Sequence, residues 1–464
     1  MTIWLPDPSR FPGPRYRAIA EALAHDVRTG RLQPGDRLPT HRDLAWELKV
    51  TVGTVSRAYA EAERRGLISG EIGRGTFIRG AEPPAPSTVS PERGPIWAPP
   101  GLLNLAQNHP MPGEEVALFA ETLHAIADGP GVGELLQYQT HTGLPRAREA
   151  GAAWLRLTGA DAVAERVIVT AGGQHCLSAI LGAFANPGDV VATEALTYPG
   201  LKAACQLRQV RLEGIAVDAE GVLPDAFAAA CRQWPIRLLY LTPNISNPLA
   251  GTLSLERRRA IVEIARRHDV MIVEDDVYGF LIDRQTPFAS LAPERTFLVI
   301  SLSKSAAPGL RMGYILAPAD RLDRLALAVR STIWMVPPLM VEIATRWIET
   351  GIAERLAAAK RREAVRRQVM ARRILGPDVL GDPNAYHLWL PLDERWRASE
   401  FVTEARKQNI ALTGANAFTV GRVAPMNGVR VCLGSVADPA VLEQALMTVR
   451  QLRDSEPDPL QSIV

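Results

Sequence analysis

At 464 residues the chain is too long for one ordinary domain, and two or three are expected. A hydrophobic content of 47% with 22% charged residues excludes a disordered chain and fits a globular protein able to bury large cores. A formal charge of +2 excludes a chain that is basic or acidic throughout, yet residues 1–80 hold 13 Arg/Lys against 9 Asp/Glu, a net of +4 that tilts a basic partner surface to the N-terminus.

The first stretch, MTIWLPDPSRFPGP, lacks a cationic region followed by an apolar one, and no apolar run approaches the roughly 20 residues needed to span a bilayer. No membrane contact and a cytoplasmic location are expected. From Tyr16 to Thr29, Ile19, Ala20, Leu23 and Val27 recur with the period of a helix, which Gly30 ends. A turn-rich link, Leu32 to Pro39, leads to Thr40, a predicted N-cap for a helix over His41–Leu48. After a break at Lys49-Val50, a third helix is predicted from Thr51 to Arg65, with Gly66 as its stop. Two short strands, 67–69 and 76–78, flank the glycine-rich turn EIGRG.

Two short helices, a tight turn and a hairpin wing make an α+β winged helix-turn-helix, a fold that lays its second helix in the major groove of double-stranded DNA. The pieces YRAIAEAL, GRLQPGDRLPTHRDLA, VTVGTVSRAY and RRGLISGEIGRGTFI resemble the GntR family of bacterial repressors over about 65 residues. Where relatives often carry a basic residue just inside the recognition helix, this chain has Thr51-Val52-Gly53-Thr54. Base reading is therefore expected from Thr51 and Thr54, with Val52 available for thymine methyl groups. Arg42, Arg57 and Arg74 are expected to clamp phosphates, although any one of them also reads as a solvated helix or turn residue.

Residues 81–101 hold seven prolines and almost no apolar period, so the expected organisation is a reader at 1–80, a proline-rich linker at 81–101 and a large domain at 102–464. The large part alternates helical stretches with apolar strands at 167–170, 190–192, 238–241, 271–273 and 297–300. That alternation predicts an α/β domain with a mainly parallel sheet, whose ligands sit at the carboxyl ends of the strands. Its cysteines, Cys176, Cys205, Cys231 and Cys432, are far apart and show no metal or redox spacing.

The chemistry-bearing residues fall at those strand ends. Thr170-Ala171-Gly172-Gly173-Gln174-His175 opens a helix and can cradle an anion on its backbone amides. Tyr198 follows the next strand and suits stacking on a ring; Asn247 could donate to a phenolate oxygen. Glu274-Asp275-Asp276-Val277-Tyr278 supplies a carboxylate able to keep a pyridine nitrogen protonated. Lys304, in SLSKSAAPGLR, would have its amine pKa lowered in a dry pocket and could form a Schiff base with an aldehyde, while Ser301, Ser303 and Arg311 hold a phosphate beside it. Taken singly, each of these reads more readily as a turn, a solvated loop or a surface lysine, and it is their order that points to a site.

Order and spacing together resemble the fold-type I pyridoxal phosphate enzymes of the aspartate aminotransferase superfamily over roughly 340 residues. The resemblance implies pyridoxal 5'-phosphate as cofactor, Lys304 as the Schiff-base lysine and Asp275 as the pyridinium partner. It implies Asn247 and Tyr278 at the 3-oxygen, Tyr198 on the ring, and the Gly173 and Gln174 amides with Ser301, Ser303 and Arg311 at the phosphate. Tyr138 would serve a partner subunit's phosphate in a homodimer, and Arg430, in GVRVCLGS, would clamp a substrate α-carboxylate. Lys304, Asp275 and Tyr278 are the expected catalytic set. His175 and Cys176 depart from the commoner Gln-Ala at those places. A GntR-like reader joined to such a domain is the architecture of the MocR subfamily of bacterial regulators. The function this implies is transcription regulation by an amino-acid, amine or vitamin B6 effector, with an aminotransferase as the alternative.

Overall fold

The computed structural model describes residues 4–7, 11, 13–33, 36–64, 67–71, 75–78, 101–283, 285–421 and 426–457. Arg74 and the proline-rich residues 81–100 lie outside the described residues. The chain divides into two compact units, Met1–Pro91 and Glu92–Val464.

In the small unit, helices α1 (Arg15–Arg28), α2 (His41–Glu47) and α3 (Val52–Arg64) precede the antiparallel strands β1 (Ile68–Glu71) and β2 (Gly75–Ile78). The Thr40 hydroxyl accepts from the Asp43 amide and so starts α2 as the sequence predicts. The third helix begins one residue later than predicted. Thr51 stays outside it because its hydroxyl accepts from the Thr54 amide at 3.2 Å, which makes it a cap. Val55, Ala58, Tyr59 and Ala62 recur at helical spacing and are all buried, against Leu23, Leu44, Ile68 and Ile78. Tyr59 spends its one buried donor on Pro39 O at 2.9 Å. The link before α2 also joins the wing: Leu38 N donates to Thr76 O at 2.8 Å. This is a winged helix-turn-helix.

The large unit is built on a seven-stranded sheet of β3 (Val167–Thr170), β4 (Val190–Glu194), β5 (Arg211–Ile215), β6 (Ile236–Leu241), β7 (Met271–Asp275), β8 (Thr296–Ser301) and β9 (Gly313–Leu316). Their order is β3-β9-β8-β7-β6-β4-β5. Pairs among β4 to β8 are parallel, and β9 alone runs against both of its neighbours. A parallel neighbour needs a crossover of a dozen or more residues, usually a helix. The eleven residues 302–312 instead stay at one end of the sheet, so the lysine turn remains beside the carboxyl ends of β7 and β8. Strands β3, β8 and β9 are buried along their whole length, and Phe297 and Tyr314 are fully covered, each worth roughly 1.5–3 kcal/mol of apolar burial. The helix Pro145–Arg156 lies so close that a Cβ on Gly151 would fall 2.4 Å from the Tyr314 ring.

A second sheet joins β10 (His387–Pro391) antiparallel to β12 (Gly428–Cys432), with the two-residue β11 (Thr413–Gly414) on the other edge of β12. The pair Leu103–Asn104 and Ile410–Ala411 runs parallel, and it leads residues 105–111 toward the same end.

Candidate functional site

Lys304 sits in the four-residue helix Leu302–Ser305 at the carboxyl end of β8. Its Nζ donates to the carbonyl of Asn108, and its own carbonyl accepts from Tyr386 Oη at 2.9 Å. The Asn108 side chain ties two more groups together. Its Nδ2 donates to Tyr278 Oη at 2.8 Å and lies 2.9 Å from His387 Nδ1. His387 Nε2 reaches Ser246 O at 3.1 Å, so the proton belongs on Nε2 and Nδ1 is the acceptor. Burial, reinforced by Arg430, pushes His387 down to about 3, and it is neutral at physiological pH. Because Tyr278 accepts from Asn108, its own proton is available to a ligand oxygen.

Asp275 ends β7 beside Val299 of β8. Its Oδ2 accepts from Tyr240 Oη at 2.6 Å, and its Oδ1 is buried with no hydrogen-bond partner among the described residues. Burial raises the carboxyl to about 6, opposed by Tyr240 and by the charge of Lys304. A carboxyl raised by burial, with one oxygen unfilled, is suited to a cationic ring nitrogen, whose charge would lower its pKa again.

Beyond the lysine, Ser301 Oγ accepts from the Ser303 amide at 3.1 Å, and Arg311 Nη1 donates to Ser303 Oγ at 3.1 Å. Arg311 also donates to Ala171 O at 3.2 Å, which brings it to the turn after β3. There Gly172 has φ +84°, and a Cβ on it would fall 2.7 Å from Arg311 Nη2, so two separate constraints require glycine. The helix Gly173–Phe184 starts here, and its first intrahelical bond is made by the His175 amide, leaving those of Gly173 and Gln174 for an anion. Gly173 lies close to Val277 and Ser301, and Tyr198 and Gln174 meet over Gly200.

The two departures are both committed to the scaffold. His175 Nδ1 accepts from the Ala171 amide at 3.1 Å and Nε2 meets Thr332 Oγ1 at 2.8 Å, with burial lowering its pKa to about 4. The Cys176 thiol is fully buried 2.8 Å from Thr170 Oγ1, and burial raises it to about 12.

Arg430, on β12, is buried. Its Nη1 donates to Asn247 Oδ1 and its Nη2 to Ala106 O, both at 2.6 Å, and its Nε has no partner among the described residues. The guanidinium also lies over the Phe418 ring, 4.8 Å from its centroid. With Oδ1 engaged, the Asn247 amide nitrogen is the group left to donate.

Ten sequence-predicted residues of the large unit therefore share one end of the sheet: Gly173, Gln174, Tyr198, Asn247, Asp275, Tyr278, Ser301, Ser303, Lys304 and Arg311. Arg430 joins them through Asn247. Tyr138 does not: it is 85% exposed, with its ring 6.0 Å from Trp334. In the small unit Arg42, Thr51 and Arg57 are exposed, and Thr54 is half-buried with its hydroxyl 2.9 Å from that of Thr51. Asn108, Tyr240, Tyr386 and His387 were not legible as site residues. Only Tyr240 left a signal, a polar tip inside the apolar strand LLYLTP.

An unfilled carboxylate oxygen, a buried amine, and hydroxyl, guanidinium and free amide donors around a glycine turn fit a pyridine aldehyde that carries a phosphate. Pyridoxal 5'-phosphate is the cofactor this set suits. Residues 100–449 match the family of class I and II aminotransferases, and residues 15–78 match the bacterial regulatory proteins of the gntR family. The chain is 28% identical over 459 residues, 97% of each chain, to the uncharacterized HTH-type transcriptional regulator YdeF of Bacillus subtilis (strain 168). It is 27% identical over 443 residues, 92% of this chain and 96% of the other, to the vitamin B6 salvage pathway transcriptional repressor PtsJ of Salmonella typhimurium. Among solved structures, a kynurenine aminotransferase of Pyrococcus horikoshii has the same fold, with a TM-score of 0.70 and 20% identity over 85% of this chain and 98% of that one. A gntR-family reader in front of a class I and II aminotransferase domain places the chain in the MocR subfamily of GntR-type transcriptional regulators.

Proposed function

We propose that this DNA-binding regulator carries pyridoxal 5'-phosphate on Lys304, works as a homodimer, and uses the loaded site to sense an amino-acid-type effector. When bound, the cofactor supplies an aldehyde that captures amines and a ring that withdraws electrons. Lys304 presents its amine to that aldehyde, with the Asn108 carbonyl as its resting partner. Asp275 holds the ring nitrogen in its protonated form through Oδ1, and Tyr240 fixes the carboxylate by Oδ2. Tyr278 and the Asn247 amide donate to the 3-oxygen, and Tyr198 covers the ring. Ser301, Ser303, Arg311 and the Gly173 and Gln174 amides take the phosphate, joined by Tyr138 from the second subunit. In the reader at residues 1–80, Thr51 and Thr54 face bases, while Arg42, Arg57 and Arg74 hold phosphates.

The observation that carries this reading is the 2.6 Å bond from Arg430 to Asn247. A carboxylate arriving at Arg430 competes for the nitrogen that Asn247 now holds, and Asn247 stands at the cofactor's 3-oxygen. Contacts at the cofactor therefore differ with and without the effector, and only such a difference can shift a conformational balance. The kinship with a vitamin B6 salvage repressor favours a second reading, in which the cofactor itself is the effector and Arg430 is idle.

Arg430→Ala separates the two. The variant is expected to keep the cofactor yet to need about ten- to a hundred-fold more amino acid to perturb its absorbance, the loss of one charged, bidentate contact. Superimposable titrations of wild type and variant would remove the amino-acid effector from the account.

A further inference from the structure

Glu194 closes β4, a strand buried along its whole length, and its own side chain is buried with it. Among the described residues its hydrogen-bond donors both belong to Thr242, and no ion pair neutralises it. Burial raises the carboxyl to about 7. A buried carboxyl with no cation beside it costs stability, and such groups concentrate where a site needs them.

Glu194 Oε1 accepts from the Thr242 amide at 3.1 Å and from the Thr242 hydroxyl at 3.0 Å. Thr242 is buried and directly follows β6. A hydroxyl has one proton to give, and Glu194 takes it, so the oxygen turns a lone pair the other way. That lone pair accepts from the Asn247 amide at 3.4 Å. Asn247 in turn accepts from Arg430 at 2.6 Å through Oδ1. The chain Glu194–Thr242–Asn247 thus pins the turn that carries Asn247.

We propose that Thr242, oriented by Glu194, is a positioning residue for Asn247 and so for the cofactor's 3-oxygen. The inference rests on the reading in which pyridoxal 5'-phosphate is carried on Lys304. An N–H from Asn247 favours the 3-oxygen in its anionic form. The Lys304-bound cofactor therefore loses its proton at lower pH with Asn247 in place than with Asn247 displaced. Removing a negative charge at Glu194 acts the other way, because that charge favours the protonated cofactor.

The test is a pH titration of the visible absorbance of full-length protein loaded with pyridoxal phosphate. Thr242→Val should raise the midpoint by about half a unit to one unit, the worth of one net hydrogen bond. Thr242→Ser keeps the hydroxyl and should restore the wild-type midpoint. Glu194→Gln keeps an oxygen for Thr242 and carries no charge, so its midpoint should stay or fall. Thr242→Ala carries the same expectation as Thr242→Val where the latter fails to fold. A wild-type midpoint in Thr242→Val or Thr242→Ala, no recovery in Thr242→Ser, or a raised midpoint in Glu194→Gln would overturn the proposal. A wild-type chain that releases its cofactor after borohydride reduction would overturn the Lys304 reading itself, and this inference with it.

Discussion

Lys304→Ala is expected to abolish covalent retention of pyridoxal phosphate while leaving operator binding in place. After borohydride reduction the wild-type chain is expected to keep its cofactor through denaturation, and the variant to release it. The chemistry needs an amine beside the aldehyde, and the other lysines inside the large unit are engaged elsewhere. Lys202 donates to Ala417 O at 2.9 Å, and Lys360 donates to Met111 O at 2.7 Å and pairs with Glu115. The variant still holds some cofactor without a covalent bond, because the phosphate donors and Asp275 are untouched. Covalent retention by Lys304→Ala at the wild-type level would show that the amine has been misassigned.

Arg258→Leu is expected to destabilise the large unit by on the order of 3–5 kcal/mol, the usual cost of stranding a buried charge. Arg258 and Glu274 are both fully buried and 3.6 Å apart. The guanidinium also donates to Leu253 O at 3.0 Å, Pro243 O at 3.2 Å and Asn244 Oδ1, and Asn244 in turn donates to Asp276. One cation thus serves two buried carboxylates on either side of Asp275. Burial and the nearby Glu274 already raise Asp276 to about 7, and burial raises Glu274 as well. A carboxyl whose folded pKa lies above its unfolded value makes the folded state bind more protons, so its contribution to stability falls as pH rises between the two values. Removing Arg258 raises both carboxyls further. The deficit of Arg258→Leu should therefore be largest at mildly alkaline pH and shrink toward pH 5, as read from the urea midpoint of the large unit's fluorescence. A deficit that grows on acidification would contradict this assignment of charges.

The sheet and the lysine turn were legible because their signals are local. The five apolar runs of the large part all became strands, since a strand buried on both faces is apolar at every position. Arg211–Ile215 was missed for the same reason. It is the edge strand β5, with an exposed arginine, a glutamate and a glycine, and its composition resembles a loop. In the site, Lys304, Asp275 and Asn247 stand at strand ends where short polar clusters interrupt apolar runs. Asn108 has no such mark. It reaches the site through a parallel pairing of Leu103–Asn104 with Ile410–Ala411, three hundred residues apart, and no local pattern encodes that pairing. Thr51 shows a subtler miss: read as a base contact, it also caps α3, and its hydroxyl is shared with Thr54.

The most direct test measures the affinity of the full-length protein for an operator, selected from random DNA by that protein, in three states: without cofactor, with pyridoxal phosphate, and with pyridoxal phosphate plus a panel of amino acids. The account predicts that one class of amino acid changes the affinity of the loaded protein by about five- to 150-fold, the usual range of coupling between two sites. It also predicts that this change is lost in Lys304→Ala. If the cofactor alone produces the whole change and no amino acid adds to it, the amino-acid effector is contradicted and pyridoxal phosphate is itself the signal.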